Sequence, residues 1–300
     1  MAMKNYRICV VGAGYWGRNH IRELKALGAL GGIVEKNQKS IDLIKVEYPE
    51  FNLHSNLDDS FNYAYDGYIV STPPSTHFQI SKKIIKSGKH LLVEKPLTLN
   101  LKDAILLNNL AKKFNVNLMV GHILLFHPAF KKIKSLIESG LIGQIQYIYS
   151  NRLNLGKFRT DENVFWSFAP HDIALFNYFF KTSPTEITSR GIDYLQPGIH
   201  DTTITSMRFG NNKMGHIFVN WLHPFKEHRF VIIGSEGMLH FEDSQTDKPL
   251  LYYDKKAENK GNNFIPKSGD TELIDYKKEL PLISELKYFL SHLNGKILKI

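Results

Sequence analysis

Cysteine is almost missing from this 300-residue chain: Cys9 stands alone. No disulfide can form within one copy, and a reducing compartment is implied. Cys9 lies inside the apolar segment Ile8–Val11, where a small buried side chain is expected rather than a reactive thiol. Long apolar runs are missing too, and no window reaches the length that a membrane-crossing helix needs. The first residues, Met1 to Arg7, run directly into Ile8–Val11, too soon for the three regions of a secretory signal. These absences together predict a cytoplasmic protein with no membrane partner. Zinc-finger spacing is absent, and so is any basic run interleaved with aromatic residues. The formal charge of +9 comes from lysine pairs such as Lys82-Lys83, Lys112-Lys113 and Lys131-Lys132 on helix-like segments. Solvated helix faces explain them, and no nucleic-acid partner is expected. His122, His127, His171, His216 and His223 show no ligand spacing with acidic partners, so no metal is expected.

What is present is alternation. Short apolar strands at Arg7–Val11, Gly32–Glu35, Tyr68–Ser71, His90–Glu94 and Asn117–Gly121 are separated by helical patterns. Those patterns cover Gly17–Leu27, Gln38–Glu47, Thr76–Ser87 and Leu101–Phe114. Repeated strand–helix–strand units predict a doubly wound parallel sheet of the Rossmann kind. Past Gly121 the pattern changes. Helices over Pro128–Ser139 and Asp172–Phe180 accompany strand-like runs at Ile145–Asn151, Glu186–Asp193, Thr202–Phe209, Gly215–Leu222, Arg229–Gly234 and Met238–Glu242. Successive strands without intervening helices predict an α+β domain with a large, open, mostly antiparallel sheet. The expected division is 1–122 and 123–300. Asp254–Asp270, polar and rich in Asn, Lys and Gly, reads as a surface loop.

The sequence Gly12-Ala13-Gly14-Tyr15-Trp16-Gly17 follows the first strand and opens a helix. The first glycine permits a tight turn, the second a close approach to a pyrophosphate, and the third the packing of helix on strand. Free N–H groups at the helix start then favour phosphate. Glu35 ends the second strand, where its carboxylate can bind ribose hydroxyls and repel a 2′-phosphate. NAD is therefore expected over NADP, with Lys36 beside it as a further contact. Ser71, Thr72, Pro73 and His77 form a turn at the carboxyl end of the next strand, facing the ligand crevice. His77 reads either as a cofactor contact or as a polar helix-start residue. Glu94-Lys95-Pro96 ends a strand at the same edge. A lysine there can donate to a substrate hydroxyl and help carry its proton when burial or nearby cations lower its pKa. Pro96 is a candidate for a cis bond.

With Thr72-Pro73-Pro74…His77, Glu94-Lys95-Pro96, Gly121-His122 and Ala169-Pro170-His171-Asp172, the chain resembles the Gfo/Idh/MocA family of sugar and polyol oxidoreductases. The resemblance covers nearly the whole chain. It implies a nicotinamide flanked by Lys95 and His171 as the catalytic pair, and a homodimer or homotetramer through the C-terminal sheet. Gly14–His20, Asn151–Gly156, Asn163–Trp166, Gln196-Pro197-Gly198 and Trp221–Pro224 resemble the UDP-N-acetylglucosaminuronate 3-dehydrogenase branch. That branch oxidises C3 of a nucleotide-linked sugar for surface-polysaccharide precursors. Lys95 would then hold and deprotonate the C3 hydroxyl, with His171 as its partner in proton transfer. Arg152, Asn154 and Arg159 are candidates for the sugar carboxylate or diphosphate, since arginine forks match such oxyanions. Each arginine can equally be a solvated surface residue. Trp166 is a candidate to shield the nicotinamide or to serve in the core.

Two features depart from the family. The Asp usual four residues before the histidine is Ser167, which cannot hold a compensating charge. Family members also continue past a helix like Leu282–Leu293 and the following Gly295-Lys296-Ile297, so a naturally short or truncated C-terminus is expected. Two alternatives stay open: a reductase of a nucleotide-linked 3-ketosugar, and a cofactor-binding sensor or scaffold without turnover.

Overall fold

The structure of the chain, a computed structural model, describes residues 6–160 and 162–294. It divides into two compact units. One runs to Ile123 and also takes in the segment from Leu280; the other is Leu124–Glu279.

In the first unit strands and helices alternate: β1 (Ile8–Val11), α1 (Tyr15–Ala26), β2 (Leu30–Val34), α2 (Gln38–Glu47), β3 (Asn52–His54), α3 (Leu57–Ser60), β4 (Gly67–Val70), α4 (Pro74–Lys86), β5 (His90–Glu94), α5 (Leu101–Lys113) and β6 (Leu118–Gly121). All six strands are parallel, in the order β3-β2-β1-β4-β5-β6. β1, β2 and β4 are buried along their whole length, as strands covered on both faces must be. The order reverses at β1, with β2 on one side and β4 on the other. A sheet of this kind binds ligands at the carboxyl ends of the strands flanking that reversal. Asn37 and Asn100 cap α2 and α5, their side chains accepting from the N–H groups of Ser40 and Asp103.

The second unit contains α6 (Pro128–Glu138), β7 (Ile145–Leu155), α7 (Val164–Phe180), β8 (Glu186–Ile192), β9 (Thr202–Phe209), β10 (Lys213–Asn220), β11 (Leu222–Gly234), β12 (Met238–Glu242), β13 (Leu250–Lys260) and β14 (Asn263–Leu273). The eight strands lie in the order β14-β13-β12-β11-β7-β10-β9-β8, antiparallel except for β7 with β10. On β9 the burial alternates, with Thr203, Thr205, Met207 and Phe209 inward. The inward rows pack with Phe130, Phe176 and Phe179 of α6 and α7 in one core.

Three expectations need correction. Asp254–Asp270 is not a loop but the greater part of the hairpin β13–β14. Its residues are polar on both faces, so the hydrophobic alternation that marks a half-buried strand is missing. α7 begins at Val164 rather than at Asp172, and Pro170 lies inside it. Pro170 has no N–H to give to the helix ladder, and the start of the helix is held by Asn163, whose side chain accepts from the Trp166 N–H. Finally, 123–300 is not one block: α8 (Pro281–Ser291) belongs to the first unit, beside α1. Gly295-Lys296-Ile297 lies outside the described residues.

Candidate active site

The glycine turn is shaped by steric necessity. Gly12 has φ of +92°, which only glycine adopts readily. A Cβ on Gly17 would lie 1.9 Å from the Gly12 carbonyl oxygen, so the close packing of α1 on the turn requires glycine there. Gly14 differs: a Cβ there would meet only open space. It is the N-cap of α1, and no side chain caps it. The helix therefore offers its first N–H groups on an open side, which fits a pyrophosphate. Tyr15 and Trp16 flank this opening and are exposed. The Ser71 hydroxyl, just past β4, donates to the Gly12 carbonyl at 2.8 Å and locks the two turns at the reversal of strand order.

Glu35 follows β2 with its carboxylate folded onto backbone. Oε2 accepts from the Ala13 N–H at 2.7 Å, and Oε1 from the N–H groups of Lys36 and Asn37 at 2.7 and 2.9 Å. This fixes an acidic group against the glycine turn, where adenosine ribose hydroxyls would meet it and a 2′-phosphate would be repelled. The Lys36 residue itself is exposed. These residues fit NAD.

At the end of β5 the Lys95–Pro96 peptide is cis, and Lys95 is half-buried. The cofactor candidate His77 is placed differently from the expectation. It is buried, with Nδ1 2.8 Å from the Pro96 carbonyl oxygen and Nε2 2.8 Å from that of Thr72. Both ring nitrogens are occupied by backbone, so His77 is a brace joining the Thr72 turn to the Lys95–Pro96 turn. Glu94 likewise turns its carboxylate inward: Oε1 accepts from Nε2 of the fully buried His20 at 2.7 Å. Thr72 and the exposed Pro73 remain on the open edge before α4.

In the second unit, His171 and Asp172 lie mid-way along α7. Asp172 is fully buried and accepts twice at 2.6 Å, from the Ser150 hydroxyl on Oδ1 and from Arg152 Nε on Oδ2. Arg152, proposed from sequence as an oxyanion ligand, is thus held from β7 to the residue after His171, with its side chain mostly buried. Ser167 occupies the position one turn before His171 and is buried. Asn154 also belongs to β7, and its amide oxygen is buried without a partner. Arg159 sits in the exposed loop beyond, its Nε 3.7 Å from Glu162, while its carbonyl accepts from the Gln196 side chain. Trp166, in the first turn of α7, is 45% exposed and not a core aromatic. Among the described residues no group of three or more His, Cys, Asp or Glu is arranged to hold a metal.

Two residues escaped the sequence reading. His20 closes the Gly14–His20 segment of the branch resemblance, but nothing in the sequence assigned it a role of its own. Glu285 did give a signal: it shares a helical face with Leu282, Leu286, Phe289 and Leu290, all buried, and a charge on such a face is anomalous.

Comparison with known proteins adds to this geometry. The model of an oxidoreductase family with an NAD-binding Rossmann fold, Gfo/Idh/MocA, matches residues 6–122, and the C-terminal domain model of the same family matches 130–240. The UDP-N-acetylglucosamine 3-dehydrogenase of Acidithiobacillus ferrooxidans is 29% identical over 196 residues, covering 63% of this chain and 59% of that protein. The chain spans 59% to 65% of the length of two curated relatives it matches. A solved structure of UDP-N-acetylglucosamine 3-dehydrogenase from the same organism shares the fold with a TM-score of 0.85 at 24% identity, covering 98% of this chain and 90% of that one. A dehydrogenase of Bordetella pertussis, solved in complex with NADH and UDP-GlcNAcA, has a TM-score of 0.72 at 20% identity, over 82% and 80% of the two chains.

Proposed function

From the premise that this chain belongs to the Gfo/Idh/MocA oxidoreductase family, we propose that it oxidises the C3 hydroxyl of a nucleotide-linked sugar. UDP-N-acetylglucosaminuronate or a related sugar is the substrate, and the product ketone feeds surface-polysaccharide synthesis. The observation that carries the redox reading is Lys95, set at the carboxyl edge of the sheet that holds the glycine turn and Glu35. Bound NAD would accept the hydride from C3. Lys95 binds the C3 hydroxyl and takes its proton, with His171 as partner in that transfer. Arg152 and Asp172 fix the middle of α7 and thereby the His171 backbone. The Asn154 amide, whose oxygen is unpartnered, and the exposed Arg159 guanidinium are the groups proposed to meet the sugar and its anionic part. The likeness to a UDP-N-acetylglucosamine 3-dehydrogenase supports the choice of a nucleotide sugar.

The outer face of the second sheet is proposed to join copies into a dimer or tetramer. Ile204 and Met214 are exposed there, and Tyr149 stacks on His216. No described helix is long and apolar enough to cross a membrane, and we place the enzyme in the cytoplasm.

Purified protein mixed with NAD and UDP-N-acetylglucosaminuronate should generate reduced-nicotinamide fluorescence. Lys95→Met and His171→Asn should each reduce the rate by at least about a hundredfold, the scale of general acid–base catalysis. Signal only in the reverse direction, from a 3-ketosugar and NADH, identifies the reductase. Binding of NAD with no turnover on any nucleotide sugar supports a sensor and rejects the dehydrogenase.

A further inference from the structure

Both neighbours of Lys95 are gripped by side chains from other elements of the first unit. After it, the Pro96 carbonyl lies 2.8 Å from Nδ1 of His77 on α4. Before it, the Glu94 carboxylate accepts from Nε2 of His20 on α1 at 2.7 Å. Glu94 is seated from a further side: a Cβ on Gly121, at the end of β6, would lie 3.3 Å from Glu94 Oε2, tighter than such contacts ordinarily are. His20 is fully buried on a helix face with Gly17, Ile21 and Leu24, and its Nδ1 has no hydrogen-bond partner among the described residues. Burying an imidazole with one nitrogen unpaired costs stability relative to an apolar side chain of similar volume. The fold therefore gains little from a histidine here, and the one hydrogen bond its ring makes goes to the residue before Lys95.

α1 is also the helix of the glycine turn. Its uncapped start at Gly14 offers the N–H groups that fit a pyrophosphate. His20 stands about 9 Å further along the same helix axis, at about 1.5 Å per residue. The sheet joins the glycine turn to the lysine turn as well, but through β4, which stands between β1 and β5. Strands about 4.8 Å apart put β1 and β5 about 10 Å from each other. The bond from His20 to Glu94 links the helix to the end of β5 directly. One rigid element thus carries the pyrophosphate seat at its start and a hold on the lysine turn in its middle.

We propose that His20 is a positioning residue for Lys95, acting through Glu94: its hydrogen bond ties the lysine turn to the helix that receives the cofactor pyrophosphate, and so sets where Lys95 stands relative to bound NAD. The hydride and the proton leave one C–OH group of the substrate, so the base and the cofactor must share one frame. A misplacement of about 1 Å can lower a rate by about a hundredfold. Loss of the tie should therefore fall on kcat and not on NAD affinity, because the glycine turn and the Glu35 contacts are built without His20. The role rests on the reading of Lys95 as the base, whereas the tie between α1 and the lysine turn does not.

The test uses the full chain with and without NAD. His20→Leu keeps the buried volume and removes the donor; His20→Gln keeps an amide N–H near the place of Nε2. Hydrogen exchange needs no substrate. NAD should slow exchange of the Lys95 amide in wild type and in H20Q, and at least about threefold less in H20L, with equal protection of the glycine turn in all three. Full protection of Lys95 in H20L overturns the proposal. So does loss of protection at both turns together, which makes His20 a structural residue of α1. In turnover, H20L should lower kcat about tenfold or more with Kd for NADH, read by fluorescence, within about twofold of wild type, and H20Q should restore kcat to within about threefold. A wild-type kcat in H20L, or an H20Q as slow as H20L, overturns the proposal. Should H20L not fold, His20→Asn, whose amide is too short to reach Glu94, carries the same expectations. If no nucleotide sugar turns over, the functional reading fails, and hydrogen exchange still decides the tie.

Discussion

At the scale of single residues, His77 shows how a motif residue can serve a site without touching a ligand. Its two ring nitrogens each meet a backbone carbonyl, from Thr72 and from Pro96. Those two carbonyls belong to the turns that carry the cofactor edge and Lys95. Removing the ring strands both acceptors in a poorly hydrated place, at a cost of about 1–3 kcal/mol. His77→Ala should therefore lower the denaturant midpoint and weaken NAD binding together, measured by urea titration and by fluorescence of bound NADH. Unfolding and binding curves that both match wild type would refute the brace. From sequence the same residue was legible as part of a motif, either as a cofactor contact or as a polar side chain at a helix start, but not as a brace. Nothing local announces that Pro96, 19 positions away, supplies its partner. The pairs Arg152–Asp172 and His20–Glu94, 20 and 74 positions apart, were hidden for the same reason. The glycine turn was legible because its constraints are local: Gly12 needs positive φ, and Gly17 presses on a carbonyl five residues before it.

At the scale of elements, His127 links a helix end to pH. It is the N-cap of α6, and its Nδ1 accepts from the Ala129 N–H at 3.1 Å. Only a ring with a free lone pair on Nδ1 can do this. Burial is the largest cause of its pKa falling to about 4; the charge of Asp243 opposes the shift, and those of Lys248, Lys278 and Arg152 add to it. A histidine whose folded pKa is depressed binds its proton more readily when unfolded, so stability rises with pH across the window between the two values. The contribution is complete above about pH 6.5, the ordinary value. It fades as pH falls toward 4. His228, pushed down to about 4 chiefly by burial, acts in the same direction. Thermal midpoints should therefore drop between pH 6.5 and 4, and His127→Asn, which keeps a capping acceptor without a titrating ring, should flatten the slope. An unchanged slope in that variant would remove His127 from the acid response.

The elements also show where pattern reading succeeds. β5 and β9 were read at their true limits because their strands are apolar or alternate, with turn residues beyond them. β3 has three residues and ends on a polar histidine, too short for any period to register. β13 and β14 pair along their length through backbone, with Gly261 at positive φ in the turn. Past Leu250 and Tyr252, which are buried, no residue of either strand is buried, and that part of the hairpin carries no hydrophobic signature.

At the scale of the whole molecule, α8 is separated from the rest of its unit by the whole of the second one. Sequence order gave no hint of that return, because the helix shows only that one face is apolar, not which surface it meets. Its buried face answers the question. Leu282, Leu286, Phe289 and Leu290 are buried, and a Cβ on Gly67 of β4 would lie 3.4 Å from the Phe289 ring. The Asn117 side chain donates to the His292 carbonyl at 2.8 Å. Burying four such side chains contributes at most about 6–12 kcal/mol, at about 1.5–3 each. A domain's total stability is about 5–15 kcal/mol. A chain stopped after Glu279 should therefore lose the first unit's fold, even though every residue of the glycine turn, Glu35 and Lys95 is retained. The expected outcome is lost NAD binding and increased binding of a hydrophobic dye, both reversed when the segment from Leu280 is supplied as a peptide or fused through a linker. The second unit keeps its own core and should keep its β-sheet circular dichroism signal. If the shortened chain binds NAD as wild type does, α8 is dispensable to the cofactor site, and its buried face needs another explanation.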